Sequence, residues 1–111
     1  MTLAEARELL DSCRVGDQRD GYPILRRLKA TFQAVSDSDR VVLNQVIREW
    51  LVSSDAKDRY DGAWLTDELG LAENLDLIRR LRDEAERRSD AAAPFDWSKY
   101  NQIAGRLAAG G

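Results

Sequence analysis

Twenty carboxylates, 17 basic side chains and a single thiol are the groups in this 111-residue chain that could do chemistry, and no histidine stands among them. Imidazole is therefore excluded as base, nucleophile partner or metal ligand within the chain acting alone. The thiol, Cys13, falls near an acidic helix end away from any activating base, and one cysteine cannot close an intramolecular disulfide. Carboxylates pair at helical spacing, as Asp58 with Asp61 and Asp67 with Glu68, but this is a common surface pattern. The segment from Asp55 to Glu68 lacks the alternating oxygen ligands and central glycine of a calcium loop, and no glycine-rich phosphate loop is present. The expectation is a chain that is not an enzyme, with no catalytic residue, no metal ligand and no cofactor.

Charge is distributed unevenly. Seven acids (Asp55, Asp58, Asp61, Asp67, Glu68, Glu73, Asp76) face Lys57 and Arg59 between Ser53 and Asp76, a local balance of -5 within a chain of net charge -3. The stretch from Tyr22 to Val35 instead carries Arg26, Arg27 and Lys29 with no acid. Projected on a helix at about 100° per residue, Asp61, Trp64, Asp67 and Glu68 share one sector, while Gly62, Leu65, Thr66 and Leu69 point the other way. An indole ringed by carboxylates has the composition of an interface hot spot, with the acids selecting a basic partner. The same residues also fit a Trp64 packed under the first or last helix, with the acids forming a solvated face.

The elements that must position these residues are helices. Thr2 with Glu5 makes a capping box for a helix over about 2–13, followed by a polar connector holding Gly16, Asp17, Asp20 and Gly21. Leu25, Leu28, Phe32 and Val35 stripe a second helix over 22–35. Caps at Ser36 to Asp39 open a third over 38–52, in which Val42, Leu43, Val46, Ile47, Trp50 and Leu51 share a face that places Trp50 in the core. Ser53-Ser54-Asp55 caps a fourth over 56–69, closed by Gly70. A fifth spans 72–88 with Leu75, Ile78, Leu81 and Ala85 as its stripe, and a short sixth spans 98–108 after a linker at 89–94. Trp97 precedes that helix and would staple it to the bundle, whereas Tyr60 fits either an inward packing or the Trp64 face.

No stretch alternates for strand length, so the fold class is all-α: five to six short antiparallel helices in one domain. Helices two and three, and four and five, each span somewhat over 30 residues and end in Ser-Asp, a weak sign of helical-hairpin repetition. Three of the 17 basic residues are lysine (Lys29, Lys57, Lys99) and the rest arginine, but acids outnumber bases, so the arginines are expected to be neutralised locally on helix surfaces. The basic set of helix two is small and that of helix five is interrupted by Asp83, Glu84 and Glu86, which gives only weak support to a phosphate-tracking groove. No apolar run approaches the roughly 20 residues of a bilayer span, and Met1 to Glu8 lacks the order of a secretory signal, so the expectation is a cytoplasmic protein without membrane contact.

The run from Val42-Leu43 through Glu49-Trp50-Leu51, the turn at Ser54-Asp55, and Arg59-Tyr60-Asp61 leading into Leu65, Leu69 and Leu71 resemble small HEAT-like helical proteins that serve as immunity proteins of bacterial polymorphic toxin systems. Lys99, Ile103 and Leu107 in the tail are similar too. The likeness covers roughly Ser36 to Leu107. It departs at Gly62, Trp64 and Thr66, which marks helix four as a place where a partner-specific surface could have diverged. The resemblance implies a cytoplasmic protein that binds and blocks one cognate toxin domain, with Asp61, Trp64, Asp67 and Glu68 as partner-binding residues against a basic surface. A nucleic-acid-binding helical repeat and a self-associating scaffold are the alternatives.

Overall fold

The computed structural model describes residues 1–15 and 22–110; the expected connector at Gly16 to Gly21 lies outside the described residues, and of the end expected to fray at Gly110-Gly111, Gly110 is helical and Gly111 lies outside them. Among the described residues the chain forms α1 (Leu3–Cys13), α2 (Tyr22–Ala34), α3 (Asp37–Leu51), α4 (Ala56–Leu69), α5 (Leu75–Arg87) and α6 (Ala93–Gly110), with one 3-10 turn at Ala72–Asn74 and no strand. The fold is all-α.

Local chemistry accounts for most of the helix ends. The Glu5 amide donates to Thr2 Oγ1 (3.1 Å) and the Thr2 amide to Glu5 Oε1 (2.8 Å), closing the capping box of α1. Ser36 accepts from the Asp39 amide at the start of α3, and Asp55 accepts from the Lys57 amide at the start of α4. Gly70 ends α4 in the left-handed conformation (φ 63°), with the Leu71 amide bonded back to the Thr66 carbonyl at 2.9 Å. Arginines from neighbouring helices close other ends. Arg27 donates to the Cys13 and Val15 carbonyls after α1, and Arg40 to the Phe32 and Gln33 carbonyls at the end of α2.

Two hydrophobic clusters share the central helices. The first joins α1 and α2 to α3 through Leu10, Leu28, Leu43 and Ile47, with Trp50 inside it as expected. The second joins α5 and α6 through Ile78, Leu81, Ile103 and Leu107, with Leu51 and Ala63 of α3 and α4 closing it. The closest helix pairs are α5 with α6 and α3 with α4, whereas α2 and α3 meet only briefly. The helical hairpins are thus offset by one element from the pairing of two with three and four with five. Gly62 explains the α3–α4 approach, because a Cβ there would stand 3.2 Å from the Leu51 side chain and 3.3 Å from the Ile47 carbonyl.

Two boundaries differ from the expected ones. The stretch expected as one helix over 72–88 begins with the 3-10 turn, where the wholly buried Asn74 leaves the helical register. Its side chain exchanges hydrogen bonds with Asn44 (2.9 and 3.1 Å) and donates to Thr66 Oγ1 (3.1 Å). The sixth helix starts at Ala93 rather than Ser98, with Pro94 in its first turn, where a missing N–H costs no helical hydrogen bond. The linker over 89–94 is correspondingly shorter, and Trp97 lies within α6 rather than ahead of it.

Candidate partner-binding surface

Of the four residues expected to form one acidic face, Asp61 turns inward, whereas Trp64 and Asp67 are partly exposed and Glu68 is exposed. Asp61 is only 4% exposed. Its Oδ2 lies 3.1 Å from Arg14 Nε, while Arg14 Nη2 reaches Asp58 Oδ1 at 2.7 Å and the guanidinium stacks 4.3 Å from the Trp50 ring centre. Burial pushes the Asp61 carboxyl above its usual range, against the pull of Arg14. Asp58 also feels burial, yet hydrogen bonds from Arg14 and Ser53 hold it below its usual range. Trp64 is half-buried against the first cluster. Asp67 accepts both arms of Arg106 at 2.8 Å, and Glu68 accepts from Lys29 at 2.9 Å.

The reason is the position of α4. It packs against α2, α3 and α6 at once, so its interior arc includes Asp61, Gly62, Ala63, Leu65 and Thr66 rather than a single stripe. Its carboxylates then act as struts: Asp61 to the end of α1, Glu68 to α2 and Asp67 to α6. Gly62 and Thr66, where a diverged surface was expected, are interior positions that set helix spacing and hold Asn74. Asp76 is likewise engaged, by Arg48 at 2.9 and 3.0 Å, whose hydrogen bonds lower its pKa.

A different surface is left uncovered at the α5–α6 end. Phe95 is 78% exposed, Tyr60 51% and Trp97 37%. Trp97 borders a shallow depression floored by Ala85, Ala93 and Pro94. Tyr60 borders a larger cleft of about 820 Å³ between the α3–α4 turn and helices α5 and α6. Leu51, Leu77, Leu81 and Tyr100, all largely buried, line it from below. Phe95 precedes Lys99 by one turn on the same side of α6.

The cleft's charges divide into used and unused sets. Arg88 bonds both Asp90 (2.9 and 3.0 Å) and Asp96 (2.9 Å), which raises its pKa and lowers that of Asp90. Lys99 places its ammonium 5.0 Å from the Tyr60 ring centre and 4.9 Å from that of Tyr100. Burial pushes the Lys99 ammonium below its usual pKa, opposed by the charge of Asp96, and pushes the Tyr100 hydroxyl up. Arg59 donates to the Ser53 carbonyl at 2.8 Å. Among the described residues, Arg59, Arg80 and Lys99 have no carboxylate within 4.0 Å. Tyr60 and Lys99 are among the residues that carry the resemblance, but only the meeting of four elements marks them as one site.

Cys13 is half-buried, with its Sγ 3.4 Å from Thr31 Oγ1 and from the Leu9 carbonyl. Among the described residues no group of three acids or cysteines converges as a metal site, and no helix is long and apolar enough to cross a membrane. No protein-family model, no curated protein and no solved structure matches this chain.

Proposed function

We propose that the chain is a non-catalytic protein-binding module that neutralises a cognate toxin domain by occluding it, as the immunity-protein resemblance implies. The observation that carries the reading is the exposure of three large aromatics, Tyr60 on α4 and Phe95 and Trp97 in the first turns of α6. Large aromatics left in water supply the apolar area and rigid anchors on which interfaces depend. The contact surface in this reading is the α5–α6 end, and the role of helix four is to hold that end in place.

Co-expression with toxin domains encoded beside the chain tests the proposal. Growth is expected to be restored against one of them, and a Phe95→Ala, Trp97→Ala double variant is expected to lose protection while keeping its melting temperature. Failure to protect against any of them contradicts immunity. The self-association reading draws on the same Phe95 surface, and sedimentation showing a dimer that the double variant abolishes would favour it.

A further inference from the structure

The cleft is a site with unspent positive charge in a chain whose net charge is negative. Its four cations face Glu84, Asp90 and Asp96, but Arg88 takes up Asp90 and Asp96 together. One guanidinium offsets only one of those two carboxylates, so the lining as a whole carries a net charge of +1, and Arg59, Arg80 and Lys99 are its cations without an ion-paired carboxylate among the described residues. Lys99 is the most telling of the three, since its ammonium is half-buried between two tyrosine rings and the Asp96 carboxylate is already held by Arg88. A cation withdrawn from water without an ion-paired counter-charge gains more from an arriving carboxylate than a fully solvated one does. Next to it stand Tyr60 and, one turn earlier on α6, Phe95, both exposed.

We infer that this cleft receives an acidic segment of the protein partner, in which a carboxylate meets Lys99 with Arg80 and Arg59 at the rim, and a flanking apolar side chain covers Tyr60 and Phe95. The inference rests on the partner-binding reading and names the chemistry of the partner at this site. It is the reverse of the basic surface that an acidic helix four would have selected. A nucleic acid fits less well, because the carboxylates of Glu84, Asp90 and Asp96 in the walls interrupt any continuous track for phosphates.

The full chain, labelled with nitrogen-15, is titrated with an acetylated six-residue peptide alternating glutamate and phenylalanine, with its lysine counterpart, and with a thymidine hexanucleotide. The acidic peptide is expected to shift the amides of Tyr60, Lys99 and Tyr100, with binding that weakens as salt is added, while the lysine peptide leaves them in place. Lys99→Gln and, separately, the exposed Arg80→Glu are expected to weaken the acidic peptide by about tenfold or more. Should Lys99→Gln disturb the fold, Arg80→Glu carries the test alone. Equal responses to the two peptides, shifts confined to another face, no response to either, or a stronger response at these amides to the oligonucleotide would each overturn the inference. Peptide binding at the cleft without growth protection would retain the site and remove the immunity reading, and protection unaffected by Arg80→Glu would do the reverse.

Discussion

The acid-rich flank around α4 and the cleft at the α5–α6 end carry their charge in opposite ways. Around α4, Asp58, Asp61, Asp67, Glu68 and Asp76 each meet a cation from another helix. At the cleft, three cations have no such carboxylate among the described residues, although the acidic chain supplies 20. A segment's formal charge is therefore no guide to its outward field when its partners come from distant parts of the chain. The acids of α4 hold helices together, whereas the cations Arg59, Arg80 and Lys99 of the cleft stand without an ion-paired carboxylate among the described residues.

Breaking the α4 side at its most buried point has the largest expected effect. Arg14→Ala leaves Asp61 buried without its cation and strips a stacking partner from Trp50, so unfolding in urea should show a loss of about 3–5 kcal/mol. Gly62→Ala forces a methyl against Leu51 and the Ile47 carbonyl, with an expected loss of about 1–3 kcal/mol by the same measurement.

The two carboxylates that share Arg14 should respond to pH with opposite signs. Asp58 titrates below its ordinary value, so its stabilising contribution is complete above that value and is lost as pH falls through the depressed folded value. Asp61 titrates above its ordinary value, so its contribution is complete below that value and is lost as pH rises through the raised folded value. Over about pH 3 to 7, stability should therefore rise less steeply with pH in Asp58→Asn than in the parent chain, and more steeply in Asp61→Asn. Urea midpoints across that range measure both slopes.

Smaller effects separate the two regions further. Arg106→Ala breaks an exposed pair and should cost about 0–1 kcal/mol, while freeing Asp67 to face solvent. Arg80→Glu and Phe95→Ala sit outside the core and should change stability by no more than about 0.5 kcal/mol in thermal melts. Either one weakening partner binding would then be an effect on the surface and not on the fold.

Much of this architecture is legible in the residues themselves. The Thr2–Glu5 box, the Ser36 and Asp55 caps, Gly70 and the Trp50 face all act through neighbours within a few positions, and the helix over 56–69 matches its expected bounds. The start of α6 at Ala93 is not legible in this way, because alanines followed by Pro94 suit a linker as well as a first helical turn. The face of α4 is another matter. A helical projection supposes one buried side, whereas α4 is covered by several helices, and Asp61 turns inward because Arg14 waits there. The cleft draws on the end of α3 and on α4, α5 and α6, so no local spacing announces Lys99 and Tyr60 as neighbours.

In the proposed complex the toxin domain meets the cationic cleft and not the acids of α4. The most direct test is calorimetric titration of the toxin domain found by growth rescue against two charge-reversed chains, Asp67→Lys with Glu68→Lys and Arg80→Glu with Lys99→Glu. The first pair is expected to bind within a few-fold of the parent chain, and the second to lose about tenfold or more. Loss in the α4 pair with full affinity in the cleft pair would contradict this arrangement.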